Sequence, residues 1–153
     1  MTASTDSSTH GAELLRCACA SLRRAARAVT SAYAGEFRGT GLNPTKFTLL
    51  WALDRSGPIS QRKLGELLAL DTATLTRSLG LLERAGLVQA QTGTDRRETK
   101  WEISTLGRRR LVAASHAWKR AQNRLREQLG DDVWFRLARD LARVTDAATN
   151  WED

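Results

Sequence analysis

A chain of 153 residues has room for one domain with a real core and none for a catalytic domain beside a second unit. Its 24 Lys and Arg against 17 Asp and Glu give a net charge of +7 and a pI near 10.4, which suits nucleic acid or an anionic membrane surface. Two cysteines and two histidines make neither a disulfide scaffold nor a zinc-ligand spacing, no glycine-rich phosphate loop occurs, and no uncharged stretch reaches the ~20 residues of a membrane span; no metal, cofactor, membrane anchor or enzyme is therefore expected.

Residues 1–12 are polar and read as a disordered leader without the basic start and apolar run of a secretory signal, so the expected compartment is the cytoplasm. Residues 13–33 follow as a helix whose apolar stripe, Leu15, Cys19, Leu22, Ala26, Val29 and Tyr33, recurs at four- and three-residue steps. Its other side carries Arg16, Arg23 and Arg27. Residues 35–41 break that helix, and Asn43-Pro44 restarts one as far as Asp54, burying Phe47, Leu50, Trp51 and Leu53. After the Ser56-Gly57-Pro58 turn, Ser60 caps a short helix through Leu68 that faces Leu64, Leu67 and Leu68 inward. Asp71 or Thr72 caps the next, which runs to about Ala85 and is closed by Gly86. Two short helices joined by a tight turn make a helix-turn-helix candidate.

Beyond Gly86 the pattern turns extended. Residues 87–91 and 99–103, the latter alternating Thr99, Trp101 and Ile103 against Lys100 and Glu102, read as a β-hairpin with a charged tip at Asp95-Arg96-Arg97. Helical patterning resumes over residues 105–129, pauses at Gly130-Asp131-Asp132 and continues to Trp151. The last helix repeats Trp134, Leu137, Leu141, Val144, Ala148 and Trp151 in a narrow seam that needs a partner helix. The fold expected is mainly α with a small hairpin wing: one domain over residues 13–151, with a winged helix-turn-helix at 42–104 and a dimerisation layer from 13–41 and 105–151.

On a wheel of about 100° per residue, Leu79 and Leu82 lie within about 40° of Leu75 and anchor the second helix of the pair. The opposite side holds Ala73, Arg77, Gly80 and Arg84, with Thr72 at the helix start and Thr74 and Thr76 on the flanks. A long cation among small residues suits a helix entering a DNA groove, because bulky neighbours hold the backbone away from base edges. Threonine hydroxyls near a helix start suit phosphates as well as bases. A lone arginine is usually a solvated surface residue; the short preceding helix, the tight turn and the basic hairpin together reverse that expectation.

The chain resembles the MarR (multiple-antibiotic-resistance regulator) family over nearly its whole length. Asp95-Arg96-Arg97 is similar to the family's Asp-x-Arg wing tip, and Ile103-Ser104-Thr105-Leu106-Gly107 to the Leu-Thr-x-x-Gly segment that leads into the next helix. Leu42 to Leu53, Thr74-Leu75-Thr76-Arg77 and Leu82-Glu83-Arg84-Ala85-Gly86-Leu87-Val88 are similar to its helix following a Leu-Thr segment, its recognition-helix core and the close of that helix. The resemblance implies a cytoplasmic homodimer that binds a roughly palindromic double-stranded operator, usually as a repressor, with Arg97 in a minor groove and Asp95 orienting it. It further implies release by a small aromatic or anionic ligand, for which Tyr33, Trp51, His116 and Trp118 are the cleft candidates and Arg16, Arg23 or Arg27 the carboxylate partners, or by an oxidant. Cys17 and Cys19 lie about 200° apart on an intact helix, so Cys19 reads as seam packing and Cys17, beside Arg16, as the candidate sensing thiol. Ala73, Gly80, Leu81 and Ala90-Gln91 depart from common family residues, so no operator carries over. A nonspecific architectural or protein-interaction winged helix is the rival reading, since the phosphate attraction carries no sequence information.

Overall fold

The computed structural model describes residues 16–92 and 99–151, and side-chain caps set most element boundaries within them. Helix α1 (Ala18–Glu36) starts at Cys17, whose backbone is extended and whose side chain makes no cap, and it runs three residues past Tyr33. Asn43 accepts the Lys46 N–H at 2.8 Å and Pro44 takes the first helical position, which starts α2 (Pro44–Ser56). Ser60 caps α3 (Gln61–Leu68) and Asp71 caps α4 (Thr72–Arg84). Ser104 caps α5 (Thr105–Leu129), and Gly130 at φ 76° turns the chain into α6 (Asp131–Thr149).

The expected hairpin is present as β2 (Val88–Thr92) and β3 (Thr99–Ile103), paired antiparallel with Val88 opposite Ile103 and Ala90 opposite Trp101. A third strand, β1 (Ile59–Ser60), pairs with the other edge of β3 in the order β1-β3-β2. Two residues have no periodicity of their own, and so this strand escapes a sequence reading. The wing tip at residues 93–98, with Asp95, Arg96 and Arg97, lies outside the described residues, as do residues 1–15.

The core sits in the winged helix: Leu50, Leu53, Leu64, Leu75, Leu79 and Leu82 are sealed, with Phe37, Phe47, Trp101, Ile103 and Leu111 around them. Two inward assignments are overturned. Trp51 is 40% exposed because α2 turns Leu49 inward in its place, leaving the Trp51 indole at the rim against Trp118. Leu67 is 58% exposed because α3 buries the Leu64–Gly65 side, which rotates Leu67 toward solvent. Neither α1 nor α6 buries a residue within the single chain. Cys19, expected to pack in the α1 seam, is exposed there.

Glycine at position 107 is what lets α5 start where it does. A Cβ there would lie 2.0 Å from the Leu87 carbonyl oxygen and 2.9 Å from Ile103 Cγ1. Ser104 holds the same corner by donating its hydroxyl to the Gly86 carbonyl at 2.6 Å and accepting the Gly107 N–H at 2.9 Å. The root of the wing, the end of the recognition helix and the start of α5 thus meet at one closed joint.

Candidate nucleic-acid interface

The turn between α3 and α4 is tight because of its backbone. Ala69 adopts φ 50°, ψ 43°, and the N–H groups of Leu70 and Ala69 donate to the carbonyls of Gly65 and Glu66 at 2.9 and 3.3 Å, closing α3 in a Schellman arrangement. Gly65 lets the helices approach, since a Cβ there would stand 3.1 Å from the Leu70 carbonyl oxygen. Asp71 then accepts both the Thr74 N–H at 2.8 Å and the Thr74 hydroxyl at 2.7 Å, and these two bonds hold its carboxyl below the usual carboxylate range.

With Leu75, Leu79 and Leu82 buried, α4 presents Thr72, Ala73, Thr76, Arg77 and Arg84 to solvent, with Gly80 half-buried among them. The face expected to read DNA is therefore the exposed one. The hydroxyls of Thr74 and Thr76 already have partners in the chain. Thr74 gives its hydroxyl hydrogen to Asp71, and Thr76 is positioned to give its own to the Thr72 carbonyl at 2.7 Å. Neither hydrogen is free for a phosphate oxygen.

Gln61, which the sequence reading did not single out, reaches from the first turn of α3 to donate from Nε2 to Thr76 Oγ1 at 2.6 Å. The pair is 15 residues apart, so no local pattern flags it. On the hairpin, Gln89 and Gln91 both donate to Glu102, bracing one face of the wing on its way to the tip.

The ligand-cleft candidates are only partly brought together. Trp51 and Trp118 lie 5.4 Å apart between ring centroids, and Phe47 stacks on Trp118 at 6.1 Å. His116 is exposed on α5, and Tyr33 lines a separate 170 Å³ cavity between α1 and α5 with Val29, Glu36 and Arg124. Burial raises the Tyr33 phenol above its usual range. Cys17 and Cys19 are both exposed, and Cys17 stands outside the helix, so the wheel angle between them does not keep the two thiols apart. Among the described residues no group of three or more His, Cys, Asp or Glu could hold a metal, and no helix is long and apolar enough to cross a membrane.

The solved structure of the M. tuberculosis transcriptional regulator MosR in complex with DNA superposes with a TM-score of 0.80 at 34% identity, covering 87% of this chain and 96% of that one. The sequence profile of the MarR family matches residues 40–98. The chain belongs to the MarR family of transcriptional regulators. The transcriptional repressor CouR bound to a 23-mer DNA duplex is similar at a TM-score of 0.76 and 27% identity, over 86% of this chain and 94% of that one. CouR bound to p-coumaroyl-CoA matches at 25% identity, with the same TM-score and coverage. The HTH-type transcriptional regulator YwoH of Bacillus subtilis (strain 168), itself uncharacterized, is 29% identical over 77 residues, a stretch that spans 50% of this chain and 56% of YwoH. Membership in the MarR family gives the helix pair α3–α4 its meaning as a helix-turn-helix, and the β2–β3 hairpin its meaning as the wing.

Proposed function

We propose that this MarR-family chain acts in the cytoplasm, not as an enzyme, but as a homodimeric repressor that binds a roughly palindromic double-stranded operator. A small aromatic or anionic ligand, or an oxidant, releases it. The observation that carries the reading is the exposed stripe Ala73, Thr76, Arg77 and Arg84, with Gly80 half-buried among them, on a capped helix in a chain 34% identical to DNA-bound MosR. Residues 13–151 act as one domain in this reading, with the winged helix at 42–104 and the dimer layer from 13–41 and 105–151. Each α4 enters a major groove, and Arg97, oriented by Asp95 and flanked by Arg96, lies in the adjoining minor groove.

The test is gel retardation of the DNA immediately upstream of the gene. A specific regulator keeps its complex against about a hundredfold excess of random duplex. Arg77→Ala should lose about 1 to 3 kcal/mol on that DNA and much less on random duplex. Displacement by random DNA as easily as by the upstream fragment would favour the nonspecific architectural or protein-interaction module instead.

Release is assigned to two places. The Trp51–Trp118 pair, with Tyr33 on α1 and His116 on α5, forms the aromatic ligand region, in keeping with CouR's p-coumaroyl-CoA complex. Cys17, exposed at the uncapped start of α1, is the oxidant-sensing thiol. Peroxide should weaken retention by the wild type and by Cys19→Ser but not by Cys17→Ser; a response lost only in Cys19→Ser moves the role to Cys19.

A further inference from the structure

The hydrogen-bond bookkeeping around Thr76 has a polarity. A threonine hydroxyl owns one hydrogen and two lone pairs. At Thr76 two protein groups lie within bonding distance of Oγ1: the Thr72 carbonyl at 2.7 Å and the Gln61 amide at 2.6 Å. A carbonyl only accepts, so the hydroxyl hydrogen goes to Thr72. The Gln61 partner must then be a donor, which fixes Nε2 and not Oε1 toward the hydroxyl. One lone pair is left on Thr76, on an exposed residue beside Arg77 on the groove-facing side of α4.

We infer that Thr76 reads DNA as an obligate acceptor, its hydrogen claimed by the Thr72 carbonyl and one of its two lone pairs by Gln61; the inference rests on the DNA-binding reading above. In the major groove the donors are exocyclic amino groups, N6 of adenine and N4 of cytosine, whereas guanine and thymine edges present acceptors there. Thr76 therefore selects adenine or cytosine on the contacted strand and rejects guanine or thymine, whose oxygens would face its lone pair. Phosphate oxygens are excluded as partners for the same reason.

The experiment is selection from a randomised duplex pool by the full chain, comparing wild type, Thr76→Val, Thr76→Ser and Gln61→Ala. Wild type is expected to enrich one base pair at a position of each half-site, whose amino-bearing base is the contact. Thr76→Val, which keeps the shape and loses the oxygen, relaxes that position alone, and Thr76→Ser keeps it. Gln61→Ala frees a second lone pair and leaves the hydrogen on the Thr72 carbonyl, so it keeps the preference at that position. On the enriched duplex, replacing that adenine by purine or that cytosine by 2-pyrimidinone, each lacking the amino group, should weaken wild type about tenfold and leave Thr76→Val unchanged. Identical enrichment by wild type and Thr76→Val overturns the inference, as does undiminished wild-type binding to the duplex that lacks the amino group. Enrichment of no sequence by wild type overturns the DNA-binding reading as well, and so separates the two failures.

Discussion

Asp71 is the residue on which the reading helix hangs. It is exposed, yet it takes two hydrogen bonds from Thr74, and these keep its carboxyl ionised below the usual range. A carboxyl whose folded pKa lies below its unfolded value contributes stability above the unfolded value, near pH 3.9, and that contribution is lost as pH falls through the folded pKa. Asp71→Ala should therefore lower the thermal midpoint at neutral pH by about 2 to 4 °C, and the gap to wild type should close in acid. Asp71→Asn, which keeps an oxygen for the cap, should sit between them. Equal midpoints for Asp71→Ala and wild type at pH 7 would show that the cap contributes nothing. The residues on the α4 face were legible in the sequence because wheel geometry separates Leu75, Leu79 and Leu82 from Ala73, Arg77, Gly80 and Arg84. What their hydrogen bonds do was not, since Gln61 and Thr76 meet only across the turn.

At the scale of elements, two glycines predict opposite outcomes. Gly107→Ala forces a Cβ to 2.0 Å from a backbone oxygen that is itself fixed by the Ser104 N–H at 3.0 Å, so about 3 kcal/mol or more of stability should be lost in urea unfolding. At Gly80 the nearest atom to an added Cβ is Arg84 Nη1 at 3.6 Å, an ordinary contact with a flexible side chain, and Gly80→Ala should gain roughly 0.5 to 1 kcal/mol from helix propensity. If Gly80 serves close approach to bases, operator affinity should nonetheless fall in that more stable variant. Caps and breaks made most boundaries readable: Asn43-Pro44, Ser60, Asp71, Gly86 and Gly130 each mark a terminus that the structure shows within a residue or two. The inward faces were less readable where helices are short or lie at the rim. Leu67 and Trp51 satisfy the apolar spacing, and only the packing of Gly65 and Leu49 decides against them.

Across the whole molecule the unmatched surface is apolar. Leu137, Leu141 and Val144 along α6 are exposed, and Trp151 beyond it is 86% exposed. Such a surface, on a helix with no fully buried residue in its own chain, is what a second copy would cover. Leu141→Asp should yield a folded monomer by sedimentation, with unchanged helical circular dichroism because Leu141 is no part of the chain's own core. A wild type that sediments as a monomer at micromolar concentration would remove the dimer and the palindrome with it.

The closed joint at Gly107 has a further consequence once α5 is treated as a lever. Its 25 residues span about 37 Å, and the strap from Glu36 to Arg120 and Arg124 at 3.0 and 2.7 Å grips it far from the wing. A rod clamped at one end to the corner shared by wing and recognition helix converts angle into distance. Tilting it by about 5° carries the far end about 3 Å. B-DNA repeats its grooves every 34 Å or so, and a displacement of about 3 Å is roughly a tenth of that repeat.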